Sequence, residues 1–346
     1  MHATNMSGGL VSRRGQILSP TGGHLQFLVR RMITKKLFKL ALSALLAAYP
    51  LKVIRGQNLT PRAYVITPVH SNAVILTYSF NDGGILLNNV LPVTNGTAAI
   101  HISVFSYYHS LSFFGRSANI TASLPYSIGN FQGKFMDSET KLYRSGLVDS
   151  SFRFSVNLKG GPAMSWKEMQ SWQQKTIVGV SLSVFAPTGQ YDGARLINNG
   201  TNRWAFRPVL GYSRRKGHLV LDAYAAIWFF RTNPEYWSHN EFYAGTRSQS
   251  QYPMGAFESH LSYDVKPRLW LSFDVNTWFG GQTSLNGTPT PNTFQASSLV
   301  GATASIPLGK HQSLKVGYNA SDYVQFGRNF RNISVAWQYS WIGRPE

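Results

Sequence analysis

From residue 58 onward apolar and polar positions alternate in steps of two, and no helical periodicity lasts beyond two turns. In 218–230, Leu219, Leu221, Ala223, Ala225, Ile227 and Phe229 fall on one side, with Asp222, Tyr224 and Trp228 on the other. Segment 268–279 repeats the pattern, setting Leu269, Leu271, Phe273, Val275 and Phe279 against Ser272, Asp274 and Asn276. Successive strand residues point to opposite faces, so each run presents one apolar and one polar side. The pattern predicts about twelve strands, at 73–80, 100–113, 117–125, 147–158, 175–187, 203–213, 218–230, 254–265, 268–279, 299–308, 312–320 and 331–341. Short links near Gly115, Gly217, Pro267 and Gly309 take turns with long polar connections at 81–99, 126–146, 188–202, 231–253, 280–298 and 321–330. One link on the short side, 159–174, is longer and suits a small helix around 166–172. Within 100–113 the apolar side changes near Ser106, which predicts a bulge.

A soluble β-sandwich also alternates, but its strands average about 5 to 6 residues. The runs here approach the roughly 9 to 11 residues that a tilted strand needs to cross a bilayer. Aromatic residues gather at strand ends, as at Phe113-Phe114, Trp228 to Phe230, Trp278-Phe279 and Trp337, Tyr339 and Trp341. Such rings favour the headgroup level, where one end stays dry and the other wet. The expected fold class is therefore all-β: a single antiparallel transmembrane β-barrel of the outer-membrane kind.

Residues 1–57 read differently. They hold nine of the 33 Lys and Arg residues and none of the 14 acidic ones. From Met32 a short basic stretch leads into an apolar run, 37–48, that is too short to span a membrane and is closed by Pro50 and Lys52. This is the form of an export signal peptide. The division expected is 1–57 as an N-terminal extension plus signal, with Met32 as the start, and 58–346 as the barrel.

Composition narrows the function classes. Charged residues are only 14% and aromatics reach 14%, which excludes a disordered chain. With no Cys there is no disulfide framework, thiol nucleophile or Cys-ligated metal. No Walker A, G-x-G-x-x-G or H-E-x-x-H pattern occurs, so no cofactor or metal is expected. The net charge of +19 carries no basic helix or stacking motif, so nucleic acid is not the expected partner. Outside the leader the excess sits mainly in turns and loops, with Arg214, Arg215 and Lys216 at one end and Lys134, Lys141, Arg144, Arg195, Arg231, Arg247 and Arg328 at the other. For the latter set the phosphates of lipopolysaccharide are the nearer anion. A lipid-hydrolysing barrel would need Ser, His and an orienting group in mutual reach. His101 and Ser103 share a strand face but no third group is evident, and the expectation is that the protein is not an enzyme.

If apolar sides face lipid, the other sides line the lumen. The lumen-lining candidates are Arg153, Arg203, Arg207 and Lys315 against Asp222, Glu258, Asp264 and Asp274, with His260 near neutral. A general anion pore calls for a one-sided ring of Arg or Lys. The balanced set suits either internal ion pairs in a plugged or structural barrel, or a path for uncharged solutes. Arg203 and Arg207, four apart near the outer end of one strand, can offer planar donor forks to a carboxylate or phenolate. Alternatively they bridge to Asp222 on the neighbouring strand.

Three stretches carry a resemblance: 59–80 (LTPRAYVITPVHSNAVILTYSF), 106–133 (SYYHSLSFFGRSANITASLPYSIGNFQG) and 187–213 (PTGQYDGARLINNGTNRWAFRPVLGYS), with QYSW at 338–341. In these the chain resembles the outer-membrane β-barrel proteins named for the meta pathway of phenol degradation, over nearly all of 58–346. The resemblance implies an outer-membrane barrel that takes up aromatic or other small hydrophobic compounds. It also implies contact with outer-membrane lipid and handling by the barrel assembly machinery. One departure is that Ile342 and the four residues after it follow Trp341, which displaces the aromatic terminal signal usual for such barrels.

Overall fold

The computed structural model describes residues 61–86, 93–136, 138–325 and 327–343, so the expected leader at 1–57 lies outside the described residues. The principal strands are β1 (Ser71–Leu86), β2 (Val93–Phe113), β3 (Arg116–Phe135), β4 (Ser138–Leu147), β5 (Ser150–Lys159), β6 (Thr176–Ala186), β7 (Ala205–Lys216) and β8 (Leu219–Phe230). They continue as β10 (Met254–Lys266), β11 (Leu269–Gly280), β14 (Gln295–Pro307), β15 (Gln312–Val324) and β16 (Gly327–Ile342). Short strands β9 (Gln249–Gln251), β12 (Thr283–Leu285) and β13 (Thr288–Pro289) form a separate small sheet in the long connections. A helix, α1 (Trp166–Ser171), sits where a small helix is expected. It starts with a capping box in which Ser165 and Glu168 satisfy each other's backbone N–H.

All neighbours in the main sheet are antiparallel, and the sheet closes because β1 pairs with β16 and β2 with both β1 and β3. β4 pairs with 126–135 of β3 and β5 with 118–123, so the two share one place in the wall. The ring therefore has twelve places, as the alternation predicts. Among the described residues closure gives the crossing part of every strand a partner on both sides, which is what a β structure in hydrocarbon requires, while β4 beyond it pairs with β3 alone.

Side-chain polarity is inverted relative to a soluble protein. On β8, Leu219, Leu221, Ile227 and Phe229 are exposed outward while Val220, Asp222, Tyr224 and Ala226 are buried inward. On β11, Leu271, Phe273 and Phe279 point out and Ser272, Asp274 and Asn276 point in. An exterior of Leu, Phe, Tyr and Ile around an interior of Ser, Asn and Asp suits a hydrocarbon surround.

The structure departs from the sequence pattern in three places. First, much of the expected long connections 81–99, 126–146 and 321–330 is strand: β1, β2, β3, β4, β15 and β16 run on past the apolar belt as paired arms. Outward positions there include the polar Asp82, Thr97, Asn130 and Gln132, so the two-residue rhythm of apolar and polar residues is lost while the ladder continues. Second, β2 has no bulge at Ser106; its ladder is regular there, and the irregularity falls between Thr94 and Thr97. What changes at Ser106 is polarity. Below it Tyr107 points out and Ser110 in, as expected, whereas above it Ile100, Ile102 and Val104 share the inward face and His101 and Ser103 the outward one. Third, the β7–β8 ladder is interrupted between Phe206/Phe229 and Val209/Ala226, beside Pro208, which has no N–H to donate.

Candidate functional site

The lumen is built from the inward faces of the strands and from a segment that the strand pattern does not reveal. Residues 61–70, just before β1, run inside the barrel as a strap near the short-turn end. Tyr64 is its anchor, 2% exposed. Gly179 of β6 and Gly211 of β7 are cross-strand partners, and a Cβ on either would lie 2.4 Å or 2.0 Å from the Tyr64 ring. The two glycines thus form a recess that only bare backbone permits. The ring packs edge-on against Tyr224 at 5.3 Å, and its hydroxyl bonds to Ser181 Oγ at 3.1 Å. Ile66, Met164, Ile177 and Val209 complete an apolar cluster around it. Backbone groups of the strap are also held: Asn157 Nδ2 donates to the Tyr64 carbonyl, the Ala63 N–H to Tyr224 Oη, and Ser110 Oγ to the Pro68 carbonyl. The Thr67 hydroxyl bonds to Tyr108 Oη at 2.6 Å.

Around the strap lies a row of ionisable side chains. Asp222, His260 and Asp274 stand at one level on β8, β10 and β11, as successive cross-strand partners. All three are fully buried. His260 Nδ1 donates to Asp274 Oδ1 at 2.8 Å, while Ser272 Oγ and Thr303 Oγ1 donate to the same carboxylate at 2.5 and 2.7 Å. Asp222 accepts the backbone N–H of Arg62 at 3.1 Å. His260 Nε2 lies 3.8 Å from Glu258, which pairs with Arg207. Lower down, Asp264 receives Arg62 at 2.7 Å and also Arg215. Asp264 and Asp274 have a donor at each oxygen, as buried carboxylates ordinarily do, whereas Asp222 is held at Oδ2 alone and its Oδ1 has no partner.

All nine sequence candidates face inward, but they do not form one constellation. Arg153 stacks on Tyr64 with Cζ 5.4 Å from the ring centroid, and Lys315 Nζ lies 5.9 Å from the Trp270 ring. Asp222, Glu258, His260, Asp264 and Asp274 belong to the pairs just described. The alternative in which Arg203 and Arg207 bridge to Asp222 is not what occurs. The β7–β8 register sets Asp222 opposite Ser213, well below both guanidiniums. Arg207 therefore reaches across to Glu258 on β10, and Arg203 donates to Gln251 Oε1 at 2.5 Å. Arg203 lies outside the strands, and burial lowers its pKa to about 10. Arg215 is no free turn charge, since it closes on Asp264.

Sequence reasoning missed Arg62, Tyr64 and the glycine pair. A signal existed in Gly179 and Gly211, small residues in the middle of otherwise apolar strands, which mark close approach by another part of the chain. Among the described residues no group of three or more His, Asp or Glu side chains is placed to hold a metal ion. His101 and Ser103 stand on the outward face, where His101 Nδ1 bonds to Tyr78 Oη at 2.7 Å and its ring packs on Phe80 at 4.9 Å. They are separated from the buried row by the barrel wall.

The lumen thus has two halves. The half near the short turns is filled by the strap and its paired charges. Towards the long loops the wall carries Ile100, Ile102 and Val104 on β2 and, three and five strands further around the ring, inward aromatics on β6 and β8.

A family model described as putative MetA-pathway of phenol degradation matches residues 79–341. No curated protein matches the sequence. Among solved structures, an outer membrane channel from Pseudomonas putida F1 superposes with a TM-score of 0.67 at 15% identity, covering 82% of this chain and 100% of that one. The beta domain of the Bordetella autotransporter BrkA gives 0.44 at 12% identity, with 79% of this chain and 100% of that one covered. The transport unit of the Escherichia coli autotransporter AIDA-I gives 0.45 at 9%, with 83% and 93% covered. At these identities the likeness to the Pseudomonas channel is one of fold.

Proposed function

The chain belongs to the family described as putative MetA-pathway of phenol degradation, and from that membership and its lumen we propose that it is an outer-membrane conduit for small hydrophobic, chiefly aromatic, compounds of phenol-type catabolism. The observation that carries this is the reversed polarity of β2 above Ser106. Ile100, Ile102 and Val104 face the lumen, where contact with lipid gains them nothing. An apolar lining lowers the cost of admitting a solute that must shed water. The charges further down support the same reading, because most are matched to one another, Arg207 with Glu258, Arg62 and Arg215 with Asp264, His260 with Asp274, while Arg153 and Lys315 lie against aromatic rings. No one-sided ring of the sort that concentrates ions stands among them.

The strap lies across the lower lumen, so passage requires it to shift. A second reading, a barrel closed by its strap without transport, is favoured by the close packing of Tyr64. The two separate in cells with an intact lipopolysaccharide leaflet, by the uptake rate of the hydrophobic fluorophore N-phenylnaphthylamine with and without the protein. Faster uptake is expected; a rate equal to that of the empty vector would refute the conduit and leave the closed barrel. In this reading the basic loop residues, Arg231 among them, meet lipopolysaccharide phosphates, and the barrel assembly machinery inserts the chain.

A further inference from the structure

At the outer end of the lumen, β6 and β8 form an aromatic shelf. Trp228 and Phe230, two residues apart on β8, stack with centroids 6.0 Å apart and planes 6° from parallel. Phe185 of β6 packs on Trp228 at 4.9 Å. Two guanidiniums lie against these rings, Arg203 Cζ 4.7 Å from the Phe230 centroid and Arg207 Cζ 5.4 Å from that of Trp228. Each commits only part of its donor set, Arg203 Nη2 to Gln251 and Arg207 Nη2 to Glu258. Arg203 Nη1, Arg207 Nε and Trp228 Nε1 are buried and have no acceptor.

Buried polar groups are ordinarily satisfied; other buried groups here also lack partners, Arg62 Nε and His260 Nε2 among them, but these three donors lie together against one aromatic stack. The interruption of the β7–β8 ladder falls at Arg207, Pro208, Ile227 and Trp228. Two of the three donors thus come from residues at the gap in the β7–β8 ladder, although Arg207 pairs with Ser183 on β6 and Trp228 with Met254 on β10. The charges are also unequal. Glu258 answers Arg207, whereas Arg203 is answered by an amide. Although burial lowers its pKa to about 10, Arg203 stays cationic at neutral pH.

We propose that this shelf is a binding subsite for an aromatic ring bearing an anionic oxygen, a carboxylate or a phenolate; the inference rests on the conduit reading above. The ring extends the Trp228–Phe230 stack, and the oxygen accepts from Arg203 Nη1, Arg207 Nε and Trp228 Nε1. A saturated ring carboxylate gives up the stack, and a neutral aromatic alcohol gives up the charge-assisted bonds. The anionic aromatic is the one solute class that uses both.

The test is calorimetric titration of the full chain in detergent micelles with sodium benzoate, cyclohexanecarboxylate and benzyl alcohol. Wild type should bind benzoate most tightly. In Arg203→Gln the benzoate affinity should fall by about tenfold or more, the scale of one charge-assisted bond, with benzyl alcohol nearly unchanged. Trp228→Phe, which keeps a ring and removes the N–H, should weaken benzoate severalfold and benzyl alcohol little. Gel mobility before and after heating reports whether each variant is a closed barrel, and Arg203→Lys, which keeps charge but loses the fork, replaces Arg203→Gln if the latter does not close. Benzoate binding no tighter than that of the other two solutes, or unaltered in both Arg203 and Trp228 variants, would overturn the subsite. N-phenylnaphthylamine uptake read on the same proteins keeps the two proposals apart. Uptake without benzoate preference removes the subsite alone, and benzoate preference without uptake removes the conduit alone.

Discussion

Gly211→Ala should release the strap. The added Cβ would stand 2.0 Å from Tyr64 Cε2 and within 2.6 Å of two more ring atoms, so the ring has to leave its recess. Tyr64 is almost wholly buried, and a tyrosine buries roughly 150–250 Å², worth at most about 4–6 kcal/mol at about 25 cal/mol per Å². Partial relaxation recovers some of this, and overpacked sites usually lose about 1–3 kcal/mol. A cost of about 2–4 kcal/mol to the docked strap shifts its docking equilibrium roughly thirty- to several-hundred-fold. The chain has no cysteine, so Val65→Cys supplies a unique thiol, and its rate of modification by a maleimide reports undocking. The rate should rise strongly with Gly211→Ala. In a Tyr64→Ala background, where no ring remains to be displaced, the same glycine change should add little. An unchanged rate, or an equal increment in both backgrounds, would refute the recess as the anchor.

Phe273→Arg puts a charge on the outward face near the middle of β11 and should cost about 2–4 kcal/mol in urea unfolding from lipid vesicles; Phe273→Leu should be mild, and equal losses would mean that the face is misassigned. Glu258→Gln leaves Arg207 with no carboxylate and should cost about 3–5 kcal/mol. Asp82→Asn, which breaks the exposed pair with Arg331, should cost under about 1 kcal/mol in the same unfolding experiment, and the reverse order would contradict the burial argument. Benzoate affinity should stay level through neutral pH and fall as the pH approaches about 10, where Arg203 gives up its proton; a loss confined to acidic pH, read in the same titrations, would point to another group.

Most of the barrel is legible in the alternation because one face of each crossing segment meets lipid and the other does not. The reading fails where that contrast fails. The stretch 138–147 has no apolar side to betray it, yet it pairs with β3 throughout. Ile100, Ile102 and Val104 are placed on the wrong side by any rule that sends apolar residues to lipid, and the apparent phase change at Ser106 is the trace of that reversal. The inward set of charges is recovered from period two alone, but their partners are not. Pairing Arg207 with Glu258 rather than Asp222 depends on strand register, which no single strand encodes. The strap is too short and too irregular to carry a period, and only the glycines opposite it leave a mark.

The position of the strap in the chain also bears on how the ring comes to be closed. It immediately precedes β1, and β1 pairs with β16, so that Ser71 faces Ile342. Its own partners lie elsewhere: Asp222 is 160 positions away from Arg62, and Asp264 is 202. Loop-closure entropy rises only with the logarithm of length, so reaching these mid-chain strands costs little more than reaching nearer ones. Once Arg62 and Tyr64 are seated among β6, β7, β8 and β10, the first strand is tethered close to the growing wall and the search for its last partner is shortened. The segment that fills the lumen is in this sense also a leash on the final seam.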